Sequence, residues 1–176
     1  MRTYGKKATR LCKCGHHGDA EGRCRCTPES VQRYLEKISG PLLDRIDLIV
    51  NVPRIAHHEL RAMAAPDNRR KALSEPSESE VARNRIMRCR NLQKARCGKL
   101  NSDLSNPDME ELCELDSASE KLLANAVDKL RLSARACHRI LKISRTIADL
   151  EDHDQIELRD LTEAIAFRRI PLPLQS

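Results

Sequence analysis

Four cysteines near the N-terminus have the residue type and the spacing of a metal site. They form a C-x-C-x9-C-x-C pattern and are Cys12, Cys14, Cys24 and Cys26. Four thiolates can complete the tetrahedral coordination of zinc, which makes a closed structural site without an open catalytic position. Two alternatives stay open: His16 or His17 could replace one sulfur, or the cysteines could be reduced thiols in a flexible loop.

A second candidate is an arginine beside a run of apolar residues. Arg45 lies at the mouth of the apolar stretch 46–52, between Asp44 and Asp47. A guanidinium at that place could reach a phosphate as a rigid fork that is always charged. The simpler alternative is that Arg45 pairs with one of the two neighbouring aspartates at the surface.

A third candidate is a row of cations on the predicted helix 133–151. Arg135, Arg139 and Lys142 stand at positions i, i+4 and i+7 of one helix face. Arg135 falls in the first turn, where free N–H groups and the helix dipole favour an anion such as a nucleotide phosphate. A solvated helix face is the more common explanation for such a row.

The segment 78–97 predicts a strongly basic helix, which could bind a phosphate backbone. Its cations are distributed around the helix rather than along one stripe, which weakens that interpretation; they are Arg83, Arg85, Arg88, Arg90, Lys94 and Arg96. The formal charge is +5 over residues 71–100 and −6 over residues 101–130. This asymmetry permits either polyanion binding or a head-to-tail contact between subunits.

Composition excludes several classes of protein. The chain has 176 residues, enough for one domain or two small ones, and only 2% of them are aromatic. It therefore lacks the aromatic platforms of a single-strand binder, and it contains no glycine motif of a P-loop or dinucleotide-binding enzyme. No apolar stretch reaches the ~18 residues of a membrane span, and the basic start has no apolar core of a secretory signal. The cytoplasm is the expected location.

The elements that must position these residues are mainly helices. Residues 46–52 predict one buried strand, which needs partners that the sequence does not obviously supply. Thr27 and Pro28 open a helix expected to end near Gly40, and residues 54–76 predict a linker. Further helices are predicted by apolar periodicity at 78–97, 108–114, 117–131, 133–151 and 158–169. The second half is therefore expected to be a helical bundle.

Taken together, the motifs resemble a known family. The cysteine pattern, the run from Ser39 to Leu48 (SGPLLDRIDL) and the helical stretches 132–150 and 161–168 are similar to the magnesium chelatase-like AAA+ ATPases of the ComM/YifB group. The resemblance runs from about Cys12 to Arg169. It implies a mainly α fold: the truncated end of an AAA+ α/β core with one clear strand, followed by a helical-bundle lid.

The same resemblance implies roles and boundaries. Arg45 matches the arginine finger, which acts in trans on a neighbouring subunit, and Arg135 matches the sensor 2 arginine, which contacts ATP. The four cysteines match a zinc insertion. The partners would be homologous subunits in a ring that remodels DNA, with ATP and magnesium bound in the complete assembly. The implied segments are a divergent tail (1–11), the cysteine loop (12–26), the end of the core with the finger and a linker (27–76), and the lid with sensor 2 (77–176).

Departures from the family pattern are equally informative. Walker A, Walker B and the sensor 1 asparagine have no counterpart in these residues, so the chain is not expected to hydrolyse ATP alone. From the abrupt divergence before Cys12 we expect a truncated or frameshifted copy with a new start, and a genuine short product stays open as the alternative. Two other readings stay open: a stand-alone zinc-containing module that docks on nucleic acid or a paralogue, and an inactive remnant. The resemblance does not separate DNA remodelling from metal insertion into a porphyrin.

Overall fold

The computed structural model describes residues 12–17, 22–37, 45–50, 52, 55 and 76–168. These residues belong to two compact units. The cysteine unit contains the described residues up to 46 together with 52, and the helical unit contains 47–50, 55 and 76–168. The predicted tail 1–11 lies outside the described residues, as does most of the predicted linker.

The cysteine unit holds one described helix, α1, from Pro28 to Leu35. It begins where the sequence predicts, because the Thr27 hydroxyl accepts a hydrogen bond from the Ser30 N–H at 3.3 Å and Pro28 occupies the first turn. The described helix is shorter than expected, since its last backbone hydrogen bond joins the Glu36 N–H to the Gln32 carbonyl. The predicted end near Gly40 lies outside the described residues.

The helical unit contains five α-helices and one short 3-10 turn among its described residues. They are α2 (Glu78–Cys97), the 3-10 turn (Asn101–Asp103), α3 (Asn106–Leu112), α4 (Ser117–Leu130), α5 (Ala134–Leu150) and α6 (Leu158–Ala166). The predicted helices are confirmed, but α3 is displaced toward the N-terminus and α6 ends at Ala166 rather than at the predicted residue 169. The displacement of α3 arises because Ser105 and Asp108 form a capping box, which makes Asp108 the third helical residue rather than the first.

Helix α5 is the centre of this unit and packs against α2, α3, α6 and the 3-10 turn. Ala136, Ile140, Ile147 and Ala148 are buried on the face that the apolar spacing predicts. Leu161 of α6 is fully buried against this cluster. The core therefore fixes the direction of α5 and so the place of its first turn.

The predicted buried strand at 46–52 is wrong for the residues that the structure describes. Residues 45–50 form no strand there, and Leu48, Val50 and Val52 are 50%, 63% and 81% exposed. Among them, the Ile49 N–H donates to the Phe167 carbonyl at 2.8 Å. A β-branched run forms a strand only where a neighbouring strand accepts its backbone hydrogen bonds, and the described part of this chain offers none. The described fold is therefore mainly α.

None of the described helices has the length and apolar character needed to cross a bilayer.

Candidate functional site

The four predicted cysteines come together in space. All four sulfurs lie within 4.8 Å of one another. The Sγ of Cys12 is 3.2 Å from that of Cys14 and 3.8 Å from that of Cys24, and Cys14 and Cys24 are 3.6 Å apart. Tetrahedral zinc with bonds of about 2.3 Å places its sulfurs about 3.8 Å apart. The sulfur positions therefore fit a zinc site, and the cluster could hold a metal such as zinc.

Local backbone geometry brings the cysteines together. Gly15 has a φ of 76°, a left-handed conformation that suits glycine, and its N–H donates to the Cys12 carbonyl at 3.2 Å. This turn places Cys14 beside Cys12. The second pair, Cys24 and Cys26, lies in residues without helix or strand that lead directly into the capped start of α1.

The thiols of this cluster do not titrate alike. The backbone N–H of His16 and the neighbouring Cys12 thiol lower the pKa of Cys14 to about 6. The backbone N–H of Cys26 would lower the pKa of Cys24, but partial burial and the sulfurs of Cys14 and Cys12 together raise it to about 11. The first thiolate therefore forms readily and opposes the next. A bound dication would remove that opposition, which is the chemistry of a thiolate metal site.

The histidine alternative has one structural contact. The Nδ1 of His17 lies 3.8 Å from the Cys24 sulfur. The group of ligand atoms that lie mutually close within the described residues consists of the four sulfurs. Four sulfurs are enough for a tetrahedral site without a ring nitrogen, and His17 contacts one of them.

Arg45 is exposed in the cysteine unit. Asp47, one of its alternative partners, forms an ion pair with Arg139 of α5. Asp44, the other alternative, lies outside the described residues.

The row on α5 does not act as one surface. The Lys142 ammonium donates to the Leu104 carbonyl at 2.6 Å and to the Ser102 carbonyl at 3.3 Å. Arg139 pairs with Asp47. Arg135 is exposed at the second helical position, where the Ser133 hydroxyl caps the helix by accepting from the Ala136 N–H at 3.2 Å. Two members of the row thus serve contacts within the chain, and Arg135 faces solvent.

The basic helix α2 is also divided. One set of its cations pairs with acidic groups near the end of α5: Arg85 with Glu151 at 2.6 Å, Arg88 with Asp152 at 2.7 Å, and Arg96 with Asp149 at 2.6 Å. The other set is exposed and consists of Arg83, Arg90 and Lys94.

A buried ionic cluster was not predicted. The Asp149 carboxylate, with a fully buried side chain, accepts hydrogen bonds from Arg96, from Arg145 at 3.1 Å and from Asn101 at 2.7 Å. Burial would raise the pKa of Asp149, but the hydrogen bonds from Arg96 and Asn101 and the charge of Arg145 hold it below its usual range. Arg145 and Asp149 stand at positions i and i+4 of α5, and this spacing is the feature of the sequence that could have predicted their ion pair. This cluster fixes the C-terminal half of α5.

Comparisons with known proteins agree on one family. Residues 76–168 match the profile described as the C-terminal part of magnesium chelatase subunit ChlI, and residues 6–60 match the profile described as magnesium chelatase subunit ChlI. The chain is similar to competence protein ComM of Haemophilus influenzae, with 36% identity over 161 residues. It is also similar to protein YifB of Escherichia coli, with 37% identity over 146 residues.

A Mycobacterium tuberculosis protein is 32% identical to the chain over 150 residues, which is 83% of this chain and 28% of that protein. The similar regions cover 92% of this chain and 30% of ComM, and 83% of this chain and 27% of YifB. The chain thus spans less than a third of the length of each of these relatives.

Proposed function

Because the chain belongs to the magnesium chelatase subunit ChlI family, we propose that it acts as the part of an AAA+ ATPase that carries the arginine finger and sensor 2. In this proposal residues 12–26 form a zinc loop, 27–76 the end of the core, and 77–176 the helical lid. The phosphate-binding and magnesium-binding motifs lie elsewhere in the assembly. These residues do not hydrolyse ATP by themselves.

The observation that carries the proposal is the exposure of Arg135 in the first turn of α5. The apolar core and the Asp149 cluster hold this helix along its length. Arg135 would therefore contact a nucleotide phosphate from a fixed support, with the free N–H groups of the first turn beside it. A fixed cation is worth most where negative charge develops on the transferred phosphoryl group.

Arg45 would complete the site in trans. Its exposure is compatible with reaching the nucleotide of a neighbouring subunit. An arginine finger supplied by a neighbour contributes about 10³ to 10⁵ in the rate of hydrolysis. The partners are therefore homologous AAA+ subunits in a ring.

The four cysteines would hold zinc as a structural ion. When bound, zinc supplies a cross-link between the Cys12–Cys14 turn and the residues that lead into α1. Each sulfur binds as a thiolate, and a site closed by four sulfurs leaves no position for a reacting water. The proposed role is to shape the loop, not to carry out chemistry.

The substrate on which the ring acts is proposed from the similarity to a relative. The similar protein of Haemophilus influenzae is a competence protein, and competence is the state in which bacteria take up DNA. We propose DNA as the substrate that such a ring remodels. Stimulation of ATP hydrolysis by duplex or branched DNA tests this step, and an unchanged rate would contradict it.

A chimera tests the two arginines. Residues 12–168 would replace the matching region of Haemophilus influenzae ComM, and ATP hydrolysis would be measured. Arg45→Ala should lower the rate about 10³-fold, and Arg135→Ala should lower it in the same direction. Lys129→Ala, which removes an exposed cation from α4, is the matched control. Equal rates in all three variants would overturn the assignments.

A mixing experiment tests whether Arg45 acts in trans. The Arg45→Ala chimera would be combined with a second chimera whose phosphate-binding lysine is replaced. Each subunit then supplies what its neighbour lacks, so activity should reappear in the mixture. Absence of recovery, with each variant assembled normally, would contradict action between subunits.

A further inference from the structure

Helix α2 has an exposed row of side chains that are not among those paired with the acidic groups near the end of α5. It consists of Arg83, Met87, Arg90 and Lys94, at spacings of four, three and four residues. Such spacing places all four on one stripe of a helix, over about 16 Å. Cys89 and Gln93, both buried, mark the different side of α2 that packs into the helical unit. We call the exposed stripe the basic row.

The helical unit also carries a groove of opposite charge. It lies between α3, α4 and α5 and has a volume of about 680 Å³. Its apolar lining includes Leu123, Val127 and Leu141, which are only partly buried. Three exposed carboxylates, Glu110, Glu114 and Glu120, also line it. We call it the acidic groove.

We propose that the acidic groove binds the basic row of a second copy of this chain. The row offers three cations to three carboxylates, and Met87, which is 52% exposed, offers the groove an unbranched apolar side chain. Methionine adapts to irregular apolar surfaces, and an amphipathic helix in an apolar groove is a common mode of recognition. The formal charges of +5 over residues 71–100 and −6 over residues 101–130 point to the same pairing.

The contact is head-to-tail. The two surfaces belong to different parts of one chain, so the row of one copy meets the groove of the next, and each copy can contact two others. Such heterologous contacts close into rings or continue as open chains. The proposal goes beyond the nucleotide roles given above, because it names surfaces in which Arg45 and Arg135 take no part.

The contact is weak in isolation. A standard stable interface buries about 1,200–2,000 Å² of accessible surface, counted over both partners. One helix stripe in one groove is expected to bury less than that. Exposed charge pairs add to the specificity and rate of association more than to affinity, and salt screens them. We therefore expect concentration-dependent self-association of the 20.0 kDa chain in the high-micromolar range, which is reduced at about 1 M salt.

Charge reversal tests the contact by sedimentation equilibrium of the full chain. Arg90→Glu/Lys94→Glu reverses the row, and Glu110→Lys/Glu114→Lys reverses the groove. Each variant alone should remain monomeric at concentrations where the unaltered chain associates. Lys121→Glu/Lys129→Glu makes the same change in net charge as the row variant at exposed positions of α4 that do not line the groove, and it should associate normally.

The decisive sample is the mixture of the two reversed variants. The acidic row of one matches the basic groove of the other, and the unaltered row and groove also match, so association should return. A monomeric unaltered chain overturns the proposal, as does association that neither reversal weakens or a mixture that stays monomeric. If the row variant loses binding to duplex DNA and keeps its self-association, the row serves a polyanion and the proposal is also overturned.

The two proposals fail in different ways. A chain that stays monomeric in sedimentation overturns the row–groove contact but not the roles of Arg45 and Arg135, because these are tested by ATP hydrolysis in the ComM chimera with the row and the groove unaltered. An inactive pair of arginines likewise leaves the sedimentation result unchanged.

Discussion

The cysteine unit and the helical unit differ in what their described side chains bury. In the cysteine unit the buried side chains are Cys12 and Val31. The helical unit buries a continuous apolar cluster together with the charged groups around Asp149. Ordering one residue costs about 1–2 kcal/mol of backbone conformational entropy. Two buried side chains cannot offset that cost over all the residues of the cysteine unit, whereas the larger buried cluster of the helical unit can offset much more of it.

The difference indicates which unit needs a ligand. Small segments that lack an apolar core are usually held by metals or disulfides. All eight cysteines are free thiols, and four of them form the cluster. The cysteine unit should therefore depend on its metal, whereas the helical unit should fold through its own contacts.

Removal of the metal should have the largest effect, and only in one unit. Structural zinc supplies about 10–16 kcal/mol of apparent binding energy, which is also folding energy. A strong chelator should therefore increase hydrogen exchange throughout residues 22–37 and leave α2–α6 unchanged. Cys24→Ser should reproduce this result without a chelator, and Cys137→Ser in α5 should not. Exchange that rises equally in both units would contradict the comparison.

Loss of the buried carboxylate should have the next largest effect, in the other unit. Asp149→Asn leaves the Arg145 guanidinium, 3% exposed, without its charged partner. Breaking a buried ion pair from one side costs about 3–5 kcal/mol. Urea unfolding followed by circular dichroism should show this loss. Asp152→Asn is the control, because its pair with Arg88 is exposed on both sides and is worth about 0–1 kcal/mol.

The two units should lose their stability at different pH values when acid is added. The folded-state pKa of Asp149 is lowered, so its contribution to stability is present above the unfolded value of about 3.9 and is lost as pH falls toward the folded value. The helical unit should therefore lose stability below about pH 4. The cysteine unit should release its metal at a higher pH, because its thiolates protonate first.

Circular dichroism and zinc release, measured on the same acid titration, check this order. Asp149→Asn should flatten the acid limb of the helical unit. Zinc that remains bound below the unfolding of the helices would contradict the expected order.

Deletion of a helix cap should give the smallest effect and a different readout in each unit. Ser133→Ala removes the cap of α5 and should lower the free energy of unfolding of the helical unit by about 1 kcal/mol. Thr27→Ala removes the cap of α1 and should instead weaken zinc affinity about fivefold, since folding there is linked to the metal. A drop in helical-unit stability from Thr27→Ala would contradict this division.

The parts of the fold that local sequence controls could be predicted. Helices α4, α5 and α6 follow from apolar spacing and from caps that lie within a few residues of each helix. The clustering of the four cysteines follows from their own spacing and from Gly15.

The parts that depend on distant partners could not be predicted. The stretch 46–52 has the composition of a strand, but its composition does not reveal whether another strand is available. The Asp149 cluster joins Arg96 and Asn101 across 53 and 48 positions of the chain. Likewise, the sequence shows that α2 is basic but not which of its cations α5 would neutralise.

Native mass spectrometry of the intact chain tests the central claim, that metal holds one unit and side-chain packing holds the other. The account predicts a mass increase of one zinc ion per chain in the unaltered protein and in Cys137→Ser. It predicts no zinc in Cys24→Ser, together with unchanged hydrogen exchange of α2–α6 in all three. A chain without zinc under conditions that supply it, or zinc retained by Cys24→Ser, would contradict the account.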